Sequence, residues 1–182
     1  MDLCESPQPF LRWAGSKRKL LPYLAKYWQN GRYVRYIEPF AGSACLFFYL
    51  IPKKAILTDI NFELISTYKE VRDDLPSVLE SLSKLSVEEH EYYRIRALRP
   101  CDLSASQRAA RFIYLNRCCF NGLFRTNSKG DFNVPYGAKK AGSFPADKSM
   151  RLCANLLNKA QLLSCDFESA LGVCLSNSLK NE

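Results

Sequence analysis

The feature that most constrains this chain is an alternation of short apolar runs and helical stretches between residues 35 and 72. An apolar run at Arg35 to Ile37 reads as a strand. Glu38-Pro39-Phe40-Ala41-Gly42 breaks it into a turn, and Ser43 to Leu50 reads as a helix. A second strand follows at Ala55 to Leu57, closing on Thr58-Asp59, and a second helix runs over Asn61 to Arg72. Strand, helix, strand, helix in this order predicts an α/β fold with a parallel sheet and helices packed on it.

The flanking segments read differently. Apolar residues at helical spacing predict a helix over 16–29, with Pro22 near its start. On that helix Tyr23, Tyr27 and Trp28 are expected to face the core. Beyond Asp73 the pattern turns helical, with helices expected at Pro76 to Leu85, Val87 to Leu98 and Ala105 to Cys119. Two short aromatic runs flank Asn127-Ser128-Lys129-Gly130, which predicts a hairpin over Phe124 to Tyr136. A basic loop, a helix near Asp147 to Lys159 and a strand at Gln161 to Ser164 complete the pattern. The domain division expected is 1–73 with 152–182 for the sheet part and 74–151 for an inserted helical and hairpin subdomain.

In an open parallel sheet, ligands lie outside the carboxyl ends of the strands. Three such ends occur: Glu38 to Gly42, Thr58-Asp59 and Cys165-Asp166-Phe167. Gly42, Ser43 and Ala44 are small enough to admit a ligand to the backbone. Asp59 lies where an acidic side chain accepts hydrogen bonds from a ribose diol. Asp166 and Phe167 offer an acceptor and a ring face to a purine. The turn by itself is equally an ordinary tight turn; the two further acidic strand ends tip the reading toward a nucleoside. The sequence has no G-x-G-x-x-G and no phosphate-binding G-K-[ST] loop, which favours a nucleoside without a polyphosphate. S-adenosyl-L-methionine is such a ligand, with a ribose diol, an adenine and a charged amino-acid end.

Charge narrows the partner. The 182 residues carry 26 Lys and Arg against 18 Asp and Glu, a formal net charge of +8. The excess is local: residues 94–151 hold twelve Lys/Arg against three Asp and no Glu, whereas residues 63–93 hold three against eight. A basic block interleaved with aromatics is the footprint of a polyanion-binding surface, and a solvated basic face has the same composition. The acidic stretch is expected to face away from such a partner, with His90 as a solvated surface residue. Eight scattered cysteines with no framework spacing read as reduced and mostly buried. A single histidine and no C-x-x-C pair argue against a metal site. There is no apolar run near the roughly 20 residues that span a bilayer and no signal-peptide pattern, so the expected location is cytoplasmic.

PFLRWAGSK (Pro9 to Lys17), YIEPFAGSACLFF (Tyr36 to Phe48), LTDINFELI (Leu57 to Ile65) and CFNGLFRTNSKGDFNVPYG (Cys119 to Gly137) occur in that order. Together they resemble the Dam-type (D12 class) adenine-N6-specific DNA methyltransferases, over nearly the whole chain from Pro9 to about Ala170. The resemblance implies a partial Rossmann-like methyltransferase sheet with an inserted helical plus β-hairpin target-recognition subdomain. It implies S-adenosyl-L-methionine as cofactor and double-stranded DNA, at a GATC-like site, as partner. Trp13, Ala14, Gly15 and Lys17 match the N-terminal cofactor motif. Glu38, Phe40 and Gly42 match the strand-turn motif, Asp59 the ribose carboxylate, and Asp166 and Phe167 the adenine pocket. Ala44 stands where the family usually has a second glycine, and its methyl group is expected beside the ligand.

By the same resemblance, Arg12, Asn121 and Arg125 are candidates for base-edge contacts, Phe120 and Leu123 for an apolar wedge, and Pro135 for a thymine methyl. Arginine suits guanine because its fork matches O6 and N7 in the major groove. Lys129, Lys139 and Lys140 are expected on phosphates, where they set affinity rather than sequence. The family holds its flipped adenine with an Asp-Pro-Pro-Tyr loop, and no such tetrapeptide occurs here. No catalytic residue is therefore assigned. The expectation is an incomplete chain, by truncation, a frameshifted end or a natural split in which a second chain supplies the catalytic half. The alternative is a non-catalytic DNA-binding module.

Overall fold

The computed structural model describes residues 7–142 and 144–178, with the side chains of Lys140 and residues 173–178 outside the description. A 3-10 turn at Lys17–Leu20 leads into helix α1 (Leu21–Gln29). Strand β1 (Tyr36–Glu38), helix α2 (Cys45–Leu50), strand β2 (Ala55–Asp59) and helix α3 (Phe62–Asp73) follow. Then come α4 (Leu75–Ser83), α5 (Glu89–Ala97), α6 (Ala105–Cys118), α7 (Asp147–Leu157), strand β3 (Ala160–Ser164) and α8 (Phe167–Ser178).

The three strands form one parallel sheet in the order β1-β2-β3, with Tyr36 paired to Ala55 and Ala55 to Ala160. Parallel strands covered on both faces read as continuous apolar runs rather than alternating ones. Strand β2 obeys this, with Ala55, Ile56, Leu57 and Thr58 all buried. Because all three strands run the same way, their carboxyl ends bring Glu38, Asp59 and Ser164 to one edge of the sheet.

Local signals start the helices where the chain needs them. Asn61 accepts from the Leu64 amide to open α3, and Asp74 accepts from the Ser77 amide to open α4, where Pro76 occupies the second helical position. At α6, Ser104 and Gln107 form a reciprocal capping box that satisfies two backbone donors at once. Helix α6 is buried on most of its circumference, through Ala109, Ala110, Phe112, Ile113, Tyr114, Leu115, Asn116 and Cys118. It packs against α3, α4 and α5, and an ion pair between Arg108 and Glu63 ties it to α3. One cluster of buried side chains takes Phe47, Leu57 and Tyr68 from the sheet part together with Tyr92, Ile113 and Met150 from the inserted segment. Both segments thus exclude water from the same core.

Four local expectations change. Tyr23 and Tyr27 do not face the core: they are 65% and 75% exposed, because α1 buries only Ala25 fully and half-buries Trp28 against Tyr33 and Tyr36. The helix expected from Ser43 begins at Cys45, because Ala44 adopts a left-handed conformation with φ 49°. The hairpin makes isolated bridges, Thr126 to Phe132 and Cys119 to Tyr136, rather than a continuous ladder. Its turn is held instead by the Asn127 side chain, which accepts from the amides of Lys129 and Asp131 at 2.9 Å each. Finally, α8 follows β3, where no helix was expected, and Asp166 opens it by accepting the Ser169 amide at 2.8 Å.

Cys45, Cys118, Cys119 and Cys153 are buried, Cys165 is half-buried and Cys101 exposed, all as free thiols. Cys4 and the Cys174 side chain lie outside the described residues. His90 is exposed beside Glu88. Among the described residues no helix is long and apolar enough to cross a membrane.

Candidate functional site

The turn after β1 is fixed from three directions. The Ala41 amide donates to the Thr58 carbonyl at 2.9 Å, and the Thr58 hydroxyl donates to the Pro39 carbonyl at 3.1 Å. From the end of β2, one oxygen of Asp59 accepts the Gly42 amide at 3.0 Å while the other accepts the Asn61 amide at 3.0 Å. From α3, the Tyr68 hydroxyl donates to the Gly42 carbonyl at 2.6 Å. A carboxylate has about four acceptor positions, so Asp59 braces the turn and keeps acceptor capacity on both oxygens.

Gly42 is required here on two counts. Its φ of +48° lies in the left-handed region, and a Cβ there would stand 2.6 Å from Cδ1 of the Trp13 indole. Trp13 is therefore the lid of the turn, and it stacks on Phe124 with ring centroids 6.0 Å apart. The neighbouring Ala14 and Gly15 form an exposed turn, Gly15 with φ +75°, and Ser16 reaches Ser43 across the same groove at 3.5 Å. Ala44 differs from expectation. Its side chain is fully buried in the core cluster, so its methyl group faces protein and its cost is the left-handed backbone.

Glu38 is buried at the end of β1, where it accepts the Tyr36 hydroxyl at 3.0 Å. Burial pushes its carboxyl up to about 7, against the opposing pull of the Tyr36 hydroxyl and the Lys17 ammonium. Lys17 itself is exposed. At the outer rim Phe40 and Phe167 are 64% and 45% exposed with ring centroids 5.8 Å apart. Asp166, also exposed, caps α8 through the Ser169 amide and hydroxyl, which hold its carboxyl below the usual range.

Two of the expected DNA-contact residues, Arg12 and Asn121, meet beside Trp13. With Trp13, Ser16 and Ser43, and with Arg18 and Arg117, which the sequence did not single out, they line a polar cavity of about 460 Å³. Burial lowers the Arg117 pKa, and the neighbouring Arg12 and Arg18 guanidinium groups lower it further. Asn121 and Gly122 both take positive φ, 55° and 64°, which turns the chain sharply after α6. Phe120 is exposed, whereas Leu123 is half-buried against the core. Arg125 is exposed and its Nε donates to Asn133 Oδ1 at 2.8 Å, so the guanidinium is held across the hairpin. Lys129 sits exposed at the hairpin tip, Pro135 is exposed at its base, where its carbonyl accepts the Phe120 amide at 2.9 Å, and Lys139 is exposed. The Lys140 side chain lies outside the described residues.

Several residues escaped sequence reasoning. Tyr68 carries no motif signal, since a tyrosine on an amphipathic helix reads as core. Ile60, an apolar residue at the end of β2 next to Asp59, is 80% exposed. Arg96, Arg99 and Arg111 line a cavity of about 560 Å³ between α5, α6 and the hairpin. Arg111 donates there to the carbonyls of Ile95 and Arg96, closing the end of α5. Among the described residues no group of three or more His, Cys, Asp and Glu could hold a metal ion.

Comparison with known proteins adds a family. The model of a family described as D12 class N6 adenine-specific DNA methyltransferase matches residues 13–176. The chain is 38% identical over 181 residues to the Type II methyltransferase M.MjaIII of Methanocaldococcus jannaschii, covering 88% of this chain and 63% of that protein. It is 38% identical over 173 residues to the Type II methyltransferase M1.LlaDCHI of Lactococcus lactis subsp. cremoris, covering 90% and 60%. It is 36% identical over 166 residues to a DNA adenine methylase of Haemophilus influenzae, covering 88% and 57%. The chain thus spans about three fifths of the length of these curated relatives.

Proposed function

This chain belongs to the D12 class N6 adenine-specific DNA methyltransferases, and on that premise we propose that it binds S-adenosyl-L-methionine at the carboxyl ends of β1 and β2 and presents an adjacent basic face to double-stranded DNA. The observation that carries this reading is the geometry at Gly42, where a backbone without a Cβ lies between the Trp13 indole and the Asp59 carboxylate.

The donor set suits that cofactor. Asp59 retains acceptors for the ribose diol, Phe40 and Phe167 offer ring faces at the rim, and Lys17 supplies a positive charge and Glu38 a carboxyl group for the amino-acid end. When bound, the cofactor supplies a methyl group activated by a sulfonium. The part of this chain is to hold it in one orientation and to keep water from the β1 end beneath the Trp13 lid. Orientation of this kind lowers the barrier of a bimolecular transfer because the entropy of approach is met on binding.

On the DNA side we assign Arg12, Asn121 and Arg125 to base edges, Phe120 and Leu123 to an apolar wedge, Pro135 to a thymine methyl, and Lys129, Lys139 and Lys140 to phosphates. Residues 74–151 then form the recognition part and residues 1–73 with 152–182 the cofactor part. A GATC-like duplex is the target proposed. The tetrapeptide that the family uses to hold the extruded base does not occur in this sequence, and no residue here is assigned to that step.

The test is calorimetric titration of S-adenosyl-L-methionine into the purified chain, with Asp59→Ala alongside, followed by titration of GATC-containing and scrambled duplexes. Binding that Asp59→Ala weakens at least about tenfold, a loss of roughly 1.4 kcal/mol, supports the reading. A folded chain that takes up neither cofactor nor duplex overturns it.

A further inference from the structure

Arg12 and Trp13 are consecutive residues that border one cavity and make different contacts. Trp13 packs on Gly42 and Phe124, at the turn assigned above to the cofactor. Arg12 runs between Gly122 and Gly142 into the polar cavity with Arg117 and Asn121. A Cβ on Gly122 would stand 2.5 Å from the Arg12 Cβ, and one on Gly142 would overlap the guanidinium.

What fixes this branching point is a single side chain of α6. Asn116, only 2% exposed, accepts the Arg12 amide hydrogen on Oδ1 at 2.7 Å and donates from Nδ2 to the Arg12 carbonyl at 2.7 Å. The two bonds pin the peptide planes on either side of the Arg12 Cα. With both planes held, the backbone dihedrals of Arg12 are set, and so are the direction of its own side chain and the entry of Trp13. A primary amide presents a donor and an acceptor side by side in one plane, which is what the N–H and C=O of one residue require.

We propose that Asn116 is a positioning residue that sets the cofactor contact of Trp13 and the DNA contact of Arg12 together, so that one buried amide preorganises both. The inference rests on the functional reading above. With the Arg12-Trp13 unit already held, neither ligand meets its ordering cost and the two affinities are close to independent. Without Asn116 the first ligand to bind must order the unit and so helps the second, a coupling that linkage makes reciprocal.

The experiment is calorimetric titration of S-adenosyl-L-methionine into the full chain, alone and saturated with a GATC-containing duplex, and the reverse order. Asn116→Leu and Asn116→Asp are carried in parallel. The wild-type chain is expected to bind the cofactor with nearly the same affinity with and without duplex. Asn116→Leu removes both bonds and is expected to weaken both ligands and to raise the ratio of cofactor affinities with and without duplex to at least about fivefold. Asn116→Asp keeps the acceptor for the Arg12 amide and loses the donor to its carbonyl, so it frees the plane leading to Trp13 and lowers cofactor affinity more than duplex affinity. Being isosteric, it decides the matter if the leucine variant does not fold.

A merely structural asparagine would lower the melting temperature and the fraction of binding-competent protein while leaving both affinities and their ratio unchanged, and that result overturns the proposal. A wild-type ratio of about fivefold or more that Asn116→Leu lowers overturns it too, and leaves the functional reading intact. Failure of the wild-type chain to bind either ligand overturns both.

Discussion

The hydroxyl of Tyr68, fully buried on α3, donates a 2.6 Å hydrogen bond to the carbonyl of Gly42. Burial pushes the Tyr68 pKa well up, so the hydroxyl remains a donor across the physiological range. Tyr68→Phe keeps the ring and its edge contact with Phe10 but leaves the Gly42 carbonyl without this partner. The expected cost is about 1–3 kcal/mol of stability, read from urea unfolding. Cofactor affinity is expected to fall at the same time, because the freed turn no longer holds its position under Trp13.

Glu38 makes stability depend on pH. Its folded-state pKa, raised to about 7 by burial, lies above the ordinary carboxyl value of 4.5, so the native state binds more protons than the unfolded chain between those values. The contribution is fully present below about pH 4.5 and is lost as pH rises through 7, about 3 kcal/mol in all. Glu38→Gln is expected to abolish this slope and to raise stability at pH 8 relative to wild type. Urea midpoints at pH 5 and pH 8 check it; equal slopes in the two proteins would refute it.

Two small residues in one turn respond differently. Gly42→Ala places a methyl group against Trp13 at a positive φ, combining roughly 1–2 kcal/mol of backbone strain with about 1–3 kcal/mol of overpacking. It should destabilise the chain and change the Trp13 fluorescence. Ala44→Gly relieves a left-handed alanine, about 1 kcal/mol, and loses a buried methyl, about 0.8 kcal/mol. Its melting temperature is expected to stay close to that of wild type.

On the DNA side, side chains of different chemistry give different signatures. Arg125 is oriented by Asn133, and Arg125→Ala is expected to cost about 1–3 kcal/mol for the cognate duplex with little change for a scrambled one. Lys129→Ala at the hairpin tip is expected to weaken both duplexes alike and to reduce the salt dependence of binding by about one counterion. Titrations at several salt concentrations separate the two outcomes.

Much of this was legible from local pattern. Strand β2 announces itself as an apolar run closing on Asp59, and the Asn61, Asp74 and Ser104 caps stand where side chains bond their own backbone, an interaction within three residues of sequence. The helix after β3 was not foreseen, although Asp166 caps it, because the cap was read as part of a ligand pocket. Tyr23 and Tyr27 were misplaced for a related reason: helical spacing of aromatics says that a face is apolar, not that another element covers it.

By itself, then, the sequence determined the order of elements as far as β3, the strand ends that carry Glu38 and Asp59, and the basic segment 94–151. These follow from period, capping chemistry and charge, which are local. The tertiary structure alone decided that Asn116 grips Arg12 from 104 residues away, that Tyr68 braces Gly42 across 26, and that Ala44 turns its methyl into the core. Such contacts exist only once the packing of α3 and α6 has brought distant backbone and side-chain groups within hydrogen-bonding distance, and no periodicity in the chain records that distance.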